Sequence, residues 1–482
     1  MPTMCDPSSR IRIALVALPL LLAACQSMAP DYRRPAAPVA AQYPLPATSD
    51  ADASAPLPWR DYFTDPRLQA LIAQALDNNR DLRVAALRVE EARALYGIQR
   101  ADLFPAIGAQ VGVDRSRTPA DLNLTGKPLV GSAYQAGLGL STWEIDLWGR
   151  LRSLDDAALE NARASEATRR AAALSLVGQV ADAYLELAEL DERLAIAKET
   201  IASRQESFRI FSRRVEVGAT SRLNLTQIET LLTQAQALGA QLEQLREQRL
   251  NALSLLVGSP VDLSVGQARA ALEMAFPPLQ AGLPSLLLVR RPDVAAAEHR
   301  LITANANIGA ARAAFFPSVS LTGNLGSASA ELSGLFRDGS HAWSFSPSIS
   351  LPIFTAGRLR NNLDLAEVRR DIAVASYEKT VQAAFRDVAD ALSARQRLAE
   401  QLAIAQTAVR VQGERARLSA LRYDNGAAPF LDVLDAQRDL LSTQQQLVQI
   451  RRALLSSSVA LYAALGGDAA TAVSPFLPRS GS

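Results

Sequence analysis

Gly149-Arg150-Leu151-Arg152 is written again as Gly357-Arg358-Leu359-Arg360, 208 residues downstream. The same shift relates Val180-Ala181-Asp182-Ala183 to Val388-Ala389-Asp390-Ala391, Gly218 to Gly426, and Gly258 to Gly466. A constant offset over so long a stretch points to duplication rather than to shared Ala-rich composition. Upstream, Phe104-Pro105 matches Phe316-Pro317 at a shift of 212, so a loop between these points must absorb four residues. Length alone suggests roughly three domains for 482 residues. The repeat suggests one unit used twice.

Each copy is punctuated in the same way. A helix ends before Phe-Pro, an irregular stretch follows, and a long helix, a Gly-containing turn and a second helix complete the unit. Arg150 to Ser259 contains no Pro, and neither does Arg358 to Ala428. Such runs permit very long helices. The stretch Leu151–Val217 would reach about 100 Å at ~1.5 Å per residue. Leu174, Val177, Ala181, Tyr184 and Ala188 alternate by three and four, as do Val381, Phe385, Val388 and Leu392. These are coiled-coil-like seams, in which the Ala positions allow close approach.

After each Phe-Pro the period changes to two. Ile107, Ala109, Val111 and Val113 alternate with Gly108, Gln110 and Gly112. Tyr134, Ala136, Leu138 and Leu140 form a second segment, and Val319, Leu321 and Leu325 a third. Trp343, Phe345, Ile349, Leu351 and Ile353 form the fourth, with Pro347 as an exception on its apolar face. Strands are therefore expected at about 106–114, 134–144, 317–326 and 343–353. Their length and alternation suit tilted membrane strands with lipid on one side and water on the other. Two hairpins packed on a soluble domain would give the same pattern. Four strands cannot close a barrel, and open edges cannot remain in hydrocarbon. If these strands span a membrane, several chains must pool them. Three chains would supply twelve strands and set the long helices around one axis.

The first residues are not fold. Arg10 and Arg12 precede a short apolar run from Ile13 to Leu22, which reads as a secretory signal. Leu22-Ala23-Ala24-Cys25 then looks like a bacterial lipobox, with Cys25 as the lipidated first residue of the mature chain. Gln26, rather than Asp, favours the outer membrane. The stretch from Ala29 to Pro58 is rich in Pro and Ala and reads as an extended leader. The expected organisation is a signal at 1–24, a lipidated leader at 25–63, a first repeat at 64–260, a linker at 261–284, a second repeat at 285–470 and a tail at 471–482.

Composition narrows the function classes. The 50 Lys+Arg against 49 Asp+Glu give no basic surplus for nucleic acid. Cys5 lies in the expected signal segment, so the mature chain would keep Cys25 alone, with no second thiol for a disulfide and too few Cys and His for a zinc cage. No P-loop is present, and only His299 and His341 could supply an imidazole, so no enzyme activity is expected. After residue 25 no uninterrupted apolar run reaches 18 residues, which excludes a multi-span helical transporter.

Several segments carry a resemblance. Pro30-Asp31-Tyr32 with Arg34-Pro35, and Trp59-Arg60-Asp61-Tyr62-Phe63 leading into Asp65-Pro66, lie in the leader region. Arg290-Arg291-Pro292-Asp293-Val294 opens the second repeat, and Leu351-Pro352-Ile353-Phe354 runs into Gly357-Arg358. Arg422-Tyr423-Asp424-Asn425-Gly426 precedes Leu431-Asp432-Val433-Leu434-Asp435-Ala436-Gln437-Arg438. Together these resemble the TolC-like outer-membrane efflux family, in its lipoprotein branch often called NodT.

The resemblance implies a mainly α chain with membrane β. It implies a homotrimer with a twelve-stranded barrel, four strands per chain, continued by a helical coiled-coil tunnel. Such a trimer is the exit duct of a tripartite pump, with a periplasmic adaptor and an inner-membrane transporter of resistance-nodulation-division or major-facilitator type. It conducts drugs or other toxic small molecules from the periplasm of a Gram-negative cell to its exterior. The same architecture serves type I protein secretion, which is the alternative. No cofactor is implied beyond the covalent lipid on Cys25. The family's periplasmic gate carries over onto Arg422, Tyr423, Leu431 and Asp435. Leu431 would form an apolar ring, and Arg422 and Asp435 would pair between helices. Adaptor contact falls on Val217, Gly218, Ala219 and Thr220, and on Gly426, Ala427 and Ala428. The first repeat departs here, with Val215 and Gln227 in place of Tyr423 and Asp435.

Overall fold

The computed structural model describes residues 27–40, 42–43, 57–279 and 290–467. Cys25 and the expected signal and tail lie outside them. Among the described residues eight α-helices run in chain order: α1 Trp59–Tyr62, α2 Pro66–Asn78, α3 Arg80–Ala101, α4 Arg150–Glu216, α5 Arg222–Val257, α6 Pro292–Ala313, α7 Arg358–Asp424 and α8 Phe430–Ala464. Four strands, β1 Ile107–Thr118, β2 Leu129–Ile145, β3 Ser318–Ser329 and β4 His341–Ser350, form one antiparallel sheet in the order β1-β2-β3-β4. The α4 and α7 helices are each 67 residues long, and both of their ends keep the shift of 208. Among the described residues no helix is long and apolar enough to cross a membrane.

The chain divides into two compact units, the first of residues 1–35, 88–165 and 297–377, the second of 36–87, 166–296 and 378–482. The first unit holds the sheet. Its register places Ala109, Leu138, Leu325 and Trp343 in one row across the four strands, and Ile107, Leu140, Gly323 and Phe345 in the next. The opposite face carries rows of Gly108, Gly139, Asn324 and Ser344, and of Gln110, Gly137, Gly326 and Ala342. The apolar face is open: Val111 is 82% exposed, Trp343 71% and Ile349 74%.

A bulge preserves that face. Leu140 pairs with Gly323 but Trp143 with Leu321, so β2 spends one more residue than β3. The extra residue shifts the parity and keeps Trp143 and Ile145 on the side of Leu138 and Leu140.

Strand ends differ from those read off the alternation. The β1–β2 ladder continues past Val113 through Arg115↔Ser132 to Thr118↔Leu129. In the second hairpin, β3 runs to Ser329, while β4 begins at His341 and stops at Ser350 rather than near 353. Backbone pairing, not hydropathy, sets these limits, and Pro352 has no N–H to extend β4. Pro347 lies on β4, an edge strand within the single chain, opposite Leu321.

The leader is bound rather than loose in its described part. The Asn305 side-chain amide donates to the Pro30 carbonyl at 2.7 Å. The Tyr32 hydroxyl donates to Glu298 at 3.0 Å, and Arg34 donates to both Glu298 oxygens at 2.7 and 2.8 Å. Burial, then the Glu298 hydrogen bond, push the Tyr32 hydroxyl above its ordinary pKa.

The second unit is packed by a core that explains the other leader motif. The Tyr62 ring stacks on Tyr462 at 4.6 Å and on Phe276 at 5.2 Å. Its hydroxyl donates to the Ser458 carbonyl at 2.9 Å. Asp65 caps α2 by accepting from the Arg67 and Leu68 amides, and its other oxygen accepts from Tyr184 at 3.2 Å. A buried pair fixes the segment after α5. Asp191 accepts from Arg246 at 2.6 Å and from the Gly266 amide at 2.8 Å. Arg246 also donates to the Leu263 carbonyl at 2.7 Å.

Strands β2 and β3 meet most closely where Gly137 faces Gly326. A Cβ on Gly326 would lie 2.2 Å from the Ala136 carbonyl oxygen, whereas one on Gly131 would meet nothing within 4 Å. Gly326→Ala is expected to lower stability by about 1–3 kcal/mol as an overpacked contact. Gly131→Ala should change it little. Thermal unfolding of the two purified variants checks the contrast.

Candidate functional site at the helix turns

The turns α4–α5 and α7–α8 both lie in the second unit and share one construction. Gly218 has φ 75° and Gly426 φ 70°, a left-handed conformation that only glycine adopts freely. The Ala219 amide reaches back to the Arg214 carbonyl at 2.8 Å, and the Ala427 amide to the Arg422 carbonyl at 2.8 Å. These bonds close both long helices. Ser221 caps α5 by accepting from the Asn224 amide at 3.3 Å, while α8 begins after Pro429 without a side-chain cap. Val217, Gly218, Ala219, Gly426 and Ala427 are exposed, and Thr220 and Ala428 are half-buried.

The expected gate residues take up different environments. Tyr423 is drawn into an aromatic cluster, 4.8 Å from Phe430 and 6.4 Å from Phe211 between ring centroids. Phe211 and Phe430 themselves meet at 4.5 Å. Ile228 and Leu434 are buried beside them. Arg214, the first-repeat counterpart of Arg422, lies over the Phe211 ring at 5.3 Å and donates to the Tyr423 hydroxyl at 3.4 Å. The cluster thus joins the two turns, which come from different repeats.

Arg422 and Asp435 hold other partners within the chain. Arg422 donates to the Ala427 carbonyl at 3.3 Å, a local bond at the end of its own helix. Asp435 pairs with Arg438, three residues on, at 3.3 Å. The ion pair that links α7 to α8 is instead Arg415–Asp439 at 2.7 Å. The Arg415 hydrogen bond holds the Asp439 carboxyl below its ordinary pKa. Leu431 points outward, 49% exposed, next to the buried pair Val433 and Leu434.

With this geometry in place, the chain matches the model of the outer membrane efflux protein family over residues 71–259 and 283–467. The chain belongs to the outer membrane efflux protein family. It is 46% identical over 462 residues to the antibiotic efflux pump outer membrane protein ArpC of Pseudomonas putida, covering 94% of this chain and 95% of that one. It is 44% identical over 454 residues to the solvent efflux pump outer membrane protein SrpC of the same species, covering 93% and 96%. Among solved structures, a membrane protein from Pseudomonas aeruginosa superposes with a TM-score of 0.86 at 43% identity, covering 92% of this chain and 100% of that one. The open state of the Neisseria gonorrhoeae MtrE outer membrane channel superposes with a TM-score of 0.83 at 40% identity, covering 92% and 98%.

As an outer membrane efflux protein, the chain resides in the outer membrane of a Gram-negative cell and reaches into the periplasm. Its fold is the family's, mainly helical with four strands per chain. The family is one of transport ducts rather than of enzymes.

The sequence pointed to Tyr423, and to Arg214 as the counterpart of Arg422, but not to Phe211, Phe430, the Arg214–Tyr423 contact or Arg415–Asp439. One signal was present. Phe430 follows Gly426 by four residues and Phe211 precedes Gly218 by seven, in a chain with only 13 Phe. Aromatic pairs of this kind contribute about 1 kcal/mol each. Tyr423→Ala is therefore expected to speed amide exchange across the two turns by up to about tenfold, and Tyr423→Phe to leave it nearly unchanged. Hydrogen-exchange mass spectrometry reads both.

Proposed function

We propose that three copies of this chain pool their sheets into a twelve-stranded outer-membrane barrel whose long helices form a tunnel. This trimer passively conducts toxic small molecules from the periplasm to the exterior. One observation carries the reading: a largely apolar face, whose Ala109–Leu138–Leu325–Trp343 row crosses all four strands, in a sheet with two open edges, β1 and β4. Such a face belongs in lipid, and lipid does not tolerate open edges. The names of the relatives support antibiotics and organic solvents as the substrate class.

In this reading the trimer is one part of a tripartite pump. A periplasmic adaptor docks on Val217, Gly218, Ala219, Thr220, Gly426, Ala427 and Ala428, where small exposed residues allow close backbone approach. An inner-membrane transporter of resistance-nodulation-division or major-facilitator type supplies the energy. Leu431 from each copy narrows the passage. Arg422 and Asp435, engaged only locally within one chain, meet across neighbouring copies. Three such pairs can bias a gate whose states differ by a few kcal/mol, even though each exposed pair contributes about 0–1 kcal/mol. Tyr423 belongs to this gate as a brace, through the rings it holds. Cys25 carries the lipid, and Pro30, Tyr32 and Arg34 of the leader that follows it are bound to the folded chain.

Three measurements test this. Purified wild type should have the mass of a trimer and conduct ions in planar bilayers, and Asp435→Ala should raise the single-channel conductance. A monomeric, non-conducting protein would refute the duct, and unchanged conductance in the variant would refute the gate. Cys25→Ser should abolish incorporation of radioactive palmitate while leaving a barrel-forming chain.

A further inference from the structure

Alternate residues of β1 share one face, and that face does not end with the apolar residues. After Ile107, Ala109, Val111 and Val113 it continues with Arg115 and Arg117. Their partners across β2 are Ser132 and Val130, so no acid faces them on the neighbouring strand. Asp114, the nearest acid in sequence, lies on the opposite face by parity. Both arginines are exposed, and neither has an ion pair among the described residues.

A guanidinium on the lipid face is costly at hydrocarbon depth and tolerated at headgroup level. Position agrees with the second. Arg115 follows Ile107 by eight residues, about 27 Å along a strand at ~3.4 Å per residue. A strand tilt of about 40° reduces this to roughly 20 Å of height, near the top of an apolar band ~25 Å tall. Arg117 stands one repeat higher. This is the hairpin end of the sheet. The other end, at Ile107, Ile145, Ser318 and Ser350, leads into α3, α4, α6 and α7. With the helices on the periplasmic side, the hairpin end meets the outer leaflet.

We propose that Arg115 and Arg117 form a binding site for the phosphates of the phosphorylated glycolipid that builds that leaflet. This rests on the reading that the sheet faces lipid. Two planar guanidinium groups on one face, carried by residues about 7 Å apart along the strand, suit phosphate oxygens, which they engage in bidentate fashion. Below them on the same face of β1 lie Val113, Val111, Ala109 and Ile107, at the depth of the acyl chains of the same molecule. Pairing of the β1 edge with another strand takes place in the plane of the sheet and leaves this face uncovered. An acid from a neighbouring copy is the competing partner, since Glu331 and Asp338 lie in the β3–β4 connection.

The test uses full-length trimers in detergent, titrated by native mass spectrometry with bis-phosphorylated lipid A, its dephosphorylated form and phosphatidylglycerol. Wild type is expected to bind bis-phosphorylated lipid A at least tenfold more tightly than either of the others. R115A/R117A should lose that preference, and R115K/R117K should keep part of it. Three results would overturn the site: no phosphate preference in wild type, equal binding of phosphatidylglycerol, or unchanged preference in the alanine variant. Trimers that fall apart only in the alanine variant, with no lipid preference in wild type or the lysine variant, would assign the arginines to a neighbouring acid instead. Conductance recorded on the same preparations separates the two readings. Conducting trimers without a lipid preference overturn the lipid site alone, and wild type that neither trimerises nor conducts overturns the barrel as well.

Discussion

Hydrocarbon offers no hydrogen bonds, and the rest of the architecture follows from that constraint. A four-stranded sheet satisfies the backbone groups between its strands and leaves those of its two outer edges bare. Here the strands lie in sequence order, so the edges are β1, from the first repeat, and β4, from the second. The two edges are different surfaces. Closure must therefore join β1 of one copy to β4 of the next, a head-to-tail contact that makes a ring when the rotation closes. The duplication supplies both halves of this contact within one gene product. A single repeat would carry one hairpin, too small a piece of sheet to present a continuous apolar face.

The two repeats share a frame but not its chemistry. The α4 and α7 helices have equal length, and the turns that follow them have the same glycine conformation and the same closing hydrogen bonds. The side chains around those turns have diverged. Arg214 reaches across to Tyr423 of the other repeat, while Arg422 folds back on its own turn. A symmetric frame with unlike side chains lets one turn brace the other. The aromatic cluster serves that purpose, since Phe211 comes from one repeat and Tyr423 and Phe430 from the other.

What the sequence discloses depends on whether the cause is local. The long helices were legible because the absence of Pro over a hundred residues is a local property of the chain. The apolar face was legible from a period of two. Strand ends were not, because they follow pairing partners, as Thr118 opposite Leu129 illustrates. The bulge before Trp143 was equally hidden, since an extra residue acquires meaning only against β3. At the turns, the glycines announced themselves, but the partner of each charge did not. Arg415 and Asp439 are 24 residues apart, and only the antiparallel return of α8 along α7 brings them together. The Tyr32 and Arg34 motif was visible as a motif, while its partner Glu298, more than 260 residues away, was not.

The polar face of the sheet bears on where selection takes place. Between Asp114 towards one end and Glu144 towards the other, this face carries no ionised side chain in any of the four strands. Glu144 is itself neutralised by both donors of Arg150, at 2.8 and 2.6 Å. Gly108, Gly112, Gly137, Gly139 and Gly326 add no side chains at all. Selective pores rely on rings of charge or on constrictions that strip water from the solute. A face made of glycine, serine, alanine and a few neutral amides and hydroxyls supplies no ring of charge between those two acids. Between them, selection by charge therefore does not reside on this face of the sheet.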